Sequence, residues 1–346
     1  MRRIIVCVTV VFLLAVPVKA MEFSAPIAPE SAQELMPDDA ENFGEGLLYI
    51  IRSSAIILLP RLTEATKTCI SLIVCALLVG ILSNFSGSEK QVISLLGTAS
   101  AGIILFRPLN ALIKLGTQTV LQISQYGRLL IPVMTAALAA QGAVSKSSAI
   151  YLATTFFDAL LSAAVSDLLV PLVYIYLCVS VASNMFAQPL LSQIQKFIKW
   201  LMTWGLKIVL YVFTGYISIT GVVGGTADAT MVKAAKLTIS GMVPVVGNIL
   251  SDASEAVLVS AGIMKNAVGI YGLLVMIALW FEPFIQIGTQ YLMLKITCGI
   301  CEMFGAKKIS DLMKDFSVTM GLVLAMTGTV CLIFLISTIC FMKGAV

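Results

Sequence analysis

Residues 221–269 read GVVGGTADATMVKAAKLTISGMVPVVGNILSDASEAVLVSAGIMKNAVG, a polar, glycine-rich stretch between two long apolar segments. It contains seven glycines, Pro244 and six charged residues, which are Asp228, Lys233, Lys236, Asp252, Glu255 and Lys265. Irregular backbone at bilayer depth survives only where protein buries it or water reaches it. Charges at that depth mark a pathway, a pairing network or a partner site. We therefore expect the function to centre on this stretch, and we expect its glycines and Pro244 to break any continuous helix.

The composition of the whole chain indicates a membrane protein. Of its 346 residues, 59% are hydrophobic and 12% are charged, and the mean hydropathy is +1.01. Soluble domains carry about 25% charged and about 45–50% apolar residues. The composition predicts an all-α, polytopic integral membrane protein with about six to eight transmembrane helices. The net charge of +4 is too small and dispersed for nucleic-acid binding, and we expect it to set orientation in the lipid bilayer.

Catalytic, cofactor and metal sites are not predicted. The chain has no histidine, which removes the usual metal ligand and general base. Its eight cysteines lie mostly in apolar runs at irregular spacing, which is not a disulfide framework. Cys298 and Cys301 form a C-x-x-C motif that we expect to pack in an apolar helix instead of acting in redox chemistry. We expect no enzyme, because an active site would have to rest on a few buried carboxylates.

The N-terminal region divides into two predicted segments. Residues 1–20 have a positive start, a short apolar core and a small-residue end, which is typical of a secretory signal peptide cleaved after Ala20. The alternative is an uncleaved anchor, because Lys19 fits a cleavage site badly. Residues 21–65 form an acidic extracytoplasmic lead-in and, from Gly46, an amphipathic helix that Pro60 ends or kinks.

Residues 66–346 are predicted to form a polytopic membrane domain. Residues 109–127 are expected to be an amphipathic or interfacial helix, residues 128–144 a span or a half-span broken by Pro132, and residues 289–304 a weaker apolar segment. Two charged loops are predicted at 188–207 and 305–316, the first of them basic and cytoplasmic. Clear spans are predicted at 68–84, 91–106, 148–165, 168–187, 208–224, 267–288 and 317–342.

Residues 226–266 are interpreted as a polar hairpin. Lys233 and Lys236 are three residues apart, as are Asp252 and Glu255, so each pair would share a helix face. Two half-helices meeting near 242–247 would form a re-entrant or broken-helix hairpin that lines a route or binds a partner. The alternative is an ordinary loop with two amphipathic helices at the surface. The candidate pathway or partner contacts are Asp228, Lys233, Lys236, Pro244, Gly247, Asp252, Glu255, Lys265 and Asn266.

Two further carboxylates stand in apolar runs. Asp158 lies within the predicted span 148–165, and Glu282 lies near the end of the span 267–288. Carboxylates inside a membrane are candidates for pathway or partner contacts. Either one could instead lie at an interface, because the neighbouring prolines obscure its depth.

The polar hairpin also carries a family resemblance. The string from Thr220 to Gly269 resembles the stage III sporulation protein AE family of endospore-forming Firmicutes. The most specific parts are PVVGNILSDASEAVLVSA (Pro244 to Ala261) and KNAVG (Lys265 to Gly269). The order of features agrees as well, with a signal peptide, an acidic lead-in and a polytopic body. The likeness covers most of residues 45–346 and is strongest over 200–290.

The resemblance implies a role in sporulation. It implies a permease-like, non-enzymatic subunit of the channel or secretion-like complex between mother cell and forespore, placed in the mother-cell membrane around the forespore. The implied partners are the other stage III sporulation A-operon membrane proteins, their secretion-type ATPase and, indirectly, the forespore protein called stage II sporulation protein Q. The complex would support late forespore development and the activity of sigma factor G. Two alternatives stay open, a stand-alone secondary transporter for a small metabolite and a passive membrane scaffold.

Overall fold

Helices form the secondary structure of this protein, in a computed structural model that describes residues 24–37, 43–85, 90–186, 188–242 and 247–343. Over residues 220–242 and 247–262 it describes the backbone but not the side chains. No strand occurs in the described ranges. The helices are α1 (Glu30–Gln33), α2 (Phe43–Phe85), α3 (Lys90–Ala140), α4 (Val144–Ala163), α5 (Val170–Phe186), α6 (Pro189–Met242), α7 (Gly247–Met303) and α8 (Lys307–Met342).

Within the described residues, six helical segments are long and apolar enough to cross a bilayer. This result confirms the prediction of an all-α polytopic membrane protein. The longest helices exceed the membrane: the 57 residues of α7 extend over about 85 Å, whereas the hydrocarbon core is about 30 Å thick. The candidate spans are Leu59–Ser83, Lys90–Ala140, Val144–Phe186, Pro189–Ile219, Lys265–Met303 and Lys307–Met342.

Prolines interrupt the helices less than the sequence predicts. The amphipathic helix and the first span form one helix, α2, and Pro60 lies inside it. Residues 91–106, 109–127 and 128–144 were predicted as separate segments, but α3 runs through Pro108 and Pro132 to Ala140. The predicted boundary at 107–108 and the break at Pro132 are therefore wrong. Helices that pack against neighbours inside a membrane tolerate proline, because nearby groups satisfy the freed backbone carbonyl.

The predicted pair of spans at 148–165 and 168–187 is joined without a loop. A π-helix, Ala164–Leu169, connects α4 to α5. The N–H of Val170 donates to the carbonyl of Val165, five residues back. Pro171 follows directly and has no N–H, so the wider π-helical turn comes where the regular ladder cannot continue.

The two predicted charged loops are helical. Pro189 opens α6 at a position where its missing N–H costs nothing. The three lysines of residues 188–207 lie on the exposed side of α6, while Ile198, Met202 and Leu206 recur every four residues on its buried side. Residues 305–316 likewise reduce to a short turn around Gly305, with φ of 75°, before α8 begins at Lys307. The prediction of two charged loops is therefore wrong, because the charged residues of both segments lie mostly on helices.

The polar hairpin is also mostly helical. Helix α6 continues to Met242 through three of the glycines at 221–225, and α7 starts at Gly247 and continues through Gly262. The expectation that the glycines break the helix is therefore wrong, because a glycine inside a helix costs only about 1 kcal/mol. Residues 243–246, which include Pro244, lie between α6 and α7 and outside the described residues.

Helices α7 and α8 are the most buried spans and pack against α2 and α3. Helices α5, α7 and α8 meet at one end of the bundle, which we name the turn end. Two hydrogen bonds join α5 to α8 there: Asn184 Nδ2 donates to Asp315 Oδ2 at 2.8 Å, and Lys308 Nζ donates to the Met185 carbonyl at 3.2 Å. At the opposite end, the hairpin end, Gly272 of α7 packs against Leu130 of α3. Successive spans therefore alternate in direction.

Candidate functional site

The charged residues of the polar hairpin lie on two helical segments. Residues 220–242 are the C-terminal part of α6, and residues 247–264 are the N-terminal part of α7. We name these two segments the helical arms. The side chains of Asp228, Lys233, Lys236, Asp252 and Glu255, like Gly247, fall where only the backbone is described.

The base of the second arm is described in full. The side chain of Lys265 is 3% exposed, whereas the next residue, Asn266, is exposed. Lys265 lies near enough to Lys146 of α4 for the two ammonium groups to repel each other. A lysine is rarely this buried, so Lys265 stands out among the described residues at the hairpin end.

Asp158 forms a saturated polar cluster between α3 and α4. Its side chain is 3% exposed and accepts hydrogen bonds from Ser124 Oγ at 2.5 Å and Ser162 Oγ at 3.4 Å. Arg128 Nε donates to its second oxygen at 3.1 Å, with 57% of the arginine side chain exposed. We name these four residues the Asp158 node. Its carboxylate is paired and hydrogen-bonded, which is the condition for burying a charge.

Glu282 has weaker partners. Gln286 Nε2 donates to its carboxylate at 2.7 Å, and Arg61 Nη2 of α2 lies 4.0 Å away. Arg61 also faces Glu64, at 3.6 Å. The partners of Glu282 and those of Asp158 have no residue in common, so the structure places the two predicted carboxylates in separate polar sites.

A cavity of about 350 Å³ adjoins Arg61 between α2, α3 and α7. We name it the α2–α3–α7 cavity. Small ligands occupy sites of about 300–1,000 Å³, so its size suits one small molecule. Its lining combines apolar side chains such as Leu112 and Leu115 with the polar residues Arg61, Glu64, Thr68, Gln118, Gln286 and Gln290.

Cysteine and metal chemistry find no support in the described part of the chain. The seven cysteines described are all free. Cys298 and Cys301 are buried, and Cys298 Sγ lies 3.0 Å from Ser310 Oγ of α8. This is the packing role predicted for the motif. The described residues contain no group of three or more metal-ligating side chains.

The comparison with protein families covers both polar sites and all six spans. The family model for stage III sporulation protein AE matches residues 40–344. The chain belongs to the stage III sporulation protein AE family. This match confirms the resemblance inferred from residues 220–269 and identifies a sporulation-related integral membrane protein.

A curated member of the stage III sporulation protein AE family supports the assignment. Stage III sporulation protein AE of Bacillus subtilis (strain 168) is 22% identical over 235 residues, which are 68% of this chain. The match spans 59% of the length of that relative, so this chain covers less than two thirds of it. No solved structure matches the chain.

Sequence reasoning identified the two carboxylates in this family member but not their partners. Arg128 is 30 residues from Asp158, and Arg61 is on a helix separated from Glu282 by four others. One signal was available for the node: Ser124 and Arg128 are four residues apart in α3, as are Asp158 and Ser162 in α4. Polar pairs at that spacing share a helix face.

Proposed function

We propose that this family member is a non-enzymatic subunit of a channel or secretion-like complex that links mother cell and forespore during sporulation. The observation that carries the proposal is the pair of helical arms on a six-span bundle of the stage III sporulation protein AE family. Residues 220–242 form about 35 Å of continuous helix. The first arm carries Asp228, Lys233 and Lys236 and the second carries Asp252 and Glu255, a mixture of charges that suits binding to neighbouring subunits.

The proposed location is the mother-cell membrane around the forespore, with the turn end in the mother-cell cytoplasm. Cytoplasmic ends of membrane proteins are enriched in lysine and arginine, and the turn end holds Lys196, Lys199, Lys307 and Lys308. We propose that residues 1–20 are a signal peptide, that residues 21–65 are an extracytoplasmic lead-in with an amphipathic helix, and that 66–346 form the membrane domain. An exported residue 21 requires an odd number of spans before α6. Three candidate spans precede α6 in the structure. The sequence predicts five, if residues 128–144 are counted as a full span.

The proposed partners are the other stage III sporulation A-operon membrane proteins and their secretion-type ATPase, with an indirect link to stage II sporulation protein Q. The proposed outcome is late forespore development and activity of sigma factor G. Family membership and the helical arms support this assignment.

Charge neutralisation in the arms tests the proposal. The four substitutions Lys233→Gln, Lys236→Gln, Asp252→Asn and Glu255→Gln are made together at the native locus. We expect loss of a sigma-factor-G reporter and arrested forespores at normal protein level. The matched control neutralises two exposed acidic residues and two exposed lysines elsewhere, Glu34, Glu45, Lys67 and Lys114. Normal forespore development in the arm variant would reject the proposal.

A stand-alone transporter is the second candidate function. The α2–α3–α7 cavity favours it, because broken or polar membrane segments form substrate sites in secondary transporters. Substrate-dependent uptake by the purified protein in liposomes, with no partner present, would support a transporter and count against a channel subunit.

Cysteine accessibility along 226–266 separates a conduit from a passive scaffold. The assay uses a cysteine-free background in intact sporulating cells and a membrane-impermeant reagent. Labelling at periodic positions indicates one water-facing side and supports the conduit, whereas labelling only at the two ends of the segment supports the scaffold.

A further inference from the structure

The α2–α3–α7 cavity contains an unsatisfied donor. Gln290 of α7 lines the cavity, is 4% exposed, and its Nε2 has no hydrogen-bond partner. Buried polar groups in proteins are almost always paired, and each exception requires an explanation. Because Gln290 belongs to the lining of an empty volume, its unpaired amide N–H is a candidate donor to an acceptor atom of a bound molecule.

The charges around the cavity are incompletely paired. Arg61 lines it and contacts carboxylates only at 3.6 Å (Glu64) and 4.0 Å (Glu282), longer than the usual 2.7–2.9 Å of a charge-assisted hydrogen bond. The arginine is therefore able to bind an anionic oxygen next to Gln290. Two carboxylates against one arginine leave a net charge of −1, which disfavours a purely anionic ligand and favours one that also carries a cation.

Access to the cavity is from the side of the bundle. The side chain of Glu64 is 74% exposed, so the polar lining reaches the outer surface of α2. The remaining wall is formed by apolar residues that include Ala65, Leu112 and Leu115. A molecule with a charged head and an apolar or compact body fits this combination.

We infer that the α2–α3–α7 cavity binds a zwitterionic group, with a phosphate or carboxylate oxygen at Gln290 Nε2 and Arg61 and an ammonium at Glu64, the carboxylate of the cavity lining. The group belongs either to a lipid head group that enters from the bilayer or to a small free zwitterion. This binding site goes beyond the proposed function and does not depend on the helical arms.

Thermal unfolding of the purified full-length protein in detergent tests the inference. The probes are dioleoyl phosphatidylethanolamine in mixed micelles, O-phosphoethanolamine, glycine, and dioleoyl phosphatidylglycerol as an anionic lipid without an ammonium. We expect a saturable rise in Tm with phosphatidylethanolamine or with a free zwitterion, since a ligand that binds only the folded state stabilises it. Protection by the lipid alone identifies a head group, and protection by a soluble probe identifies a free zwitterion.

Two variants and two matched controls locate the binding site. Arg61→Gln and Gln290→Leu each lose a hydrogen bond to the ligand and should weaken the apparent affinity about tenfold. Arg107→Gln and Gln125→Leu change an exposed arginine and an exposed glutamine of α3 outside the cavity, and should bind as the unaltered protein does. Without ligand, Gln290→Leu should match or exceed the Tm of the unaltered protein, because it removes an unsatisfied buried donor.

Three results would overturn the inference. They are no protection by any of the zwitterions, equal protection by phosphatidylglycerol, or equal affinity in the cavity variants and their controls. Each leaves the sporulation phenotype of the arm variant unaffected, so failure of the binding site is distinguishable from failure of the proposed function.

Discussion

The Asp158 node and the α2–α3–α7 cavity both place an arginine beside carboxylates, but only the node brings them within hydrogen-bond distance. In the node, Asp158 is enclosed by three donors at 2.5–3.4 Å. At the cavity, Arg61 and its carboxylates stay 3.6–4.0 Å apart beside an empty volume and an unpaired amide. A saturated buried carboxylate fixes two helices to each other, whereas a loosely paired one retains the capacity to bind something else. The sequence predicts Asp158 and Glu282 alike as pathway or partner contacts, and the difference between the two lies in the side chains that pair with them.

The largest expected effect is the removal of the node carboxylate. Asp158→Ala leaves the buried hydroxyls of Ser124 and Ser162, and Arg128, without their acceptor. It should lower the free energy of unfolding by about 3 kcal/mol, because each unsatisfied buried donor costs about 1–3 kcal/mol. Reversible unfolding in mixed detergent micelles measures it. The control is Asp167→Ala, an exposed carboxylate in the π-helix, which should change stability by less than about 0.5 kcal/mol. Equal effects would show that the node does not hold α3 to α4.

The second-largest effect is expected where α3, which carries Ser124 and Arg128 of the node, packs against α8. A Cβ on Gly127, next to Arg128, would collide with the Phe334 ring of α8. Gly127→Ala should therefore destabilise the protein by about 2 kcal/mol through overpacking. Gly205→Ala is the matched control, because no atom lies within 4 Å of its added Cβ, and it should stabilise α6 by about 0.5–1 kcal/mol. A neutral result at Gly127 would mean that α3 can shift away from α8.

Replacing the two arginines compares the sites directly. Arg128→Gln loses a 3.1 Å hydrogen bond to a buried carboxylate and should cost about 1.5 kcal/mol. Arg61→Gln loses two long, partly exposed ion pairs and should cost no more than about 0.5 kcal/mol. Unfolding free energies of both variants without ligand give the comparison. A larger cost at Arg61 would place the structural role at the cavity.

The smallest effect is expected at Glu282. Glu282→Gln keeps an oxygen that accepts from Gln286 and loses only the 4.0 Å contact with Arg61. The unfolding free energy should change by less than about 0.5 kcal/mol. A loss above about 2 kcal/mol would show that Glu282 is as firmly built into the fold as Asp158.

Composition and one long motif were sufficient to predict the fold class and the family. A mean hydropathy of +1.01 admits few alternatives to membrane helices. The string from Pro244 to Ala261 is too long to arise by chance in an unrelated chain. Asp158 and Glu282 could be selected because a carboxylate in an apolar run is conspicuous in any sequence.

Helix boundaries were predicted less well, for physical reasons. Pro60, Pro108 and Pro132 were treated as helix ends, yet neighbouring helices keep the chain helical through each of them. The lysines of 188–207 were assigned to a loop, although they lie along one face of α6. Partners such as Arg128 and Arg61 depend on how distant helices pack, and a single sequence contains no direct record of that packing.

Helix α6 is continuous as far as Met242, so a displacement at one end of this helix is transmitted to the other. A tilt of about 5° at residue 219 would move the turn at Met242 sideways by about 3 Å over the 35 Å between them. Conversely, a push on the far turn becomes a torque on α6 at its base. Helix α6 packs against α4 at Phe213, which meets the Phe157 ring edge-on at 5.4 Å. Residue 157 precedes Asp158, so force applied at the tip is delivered one residue from the node.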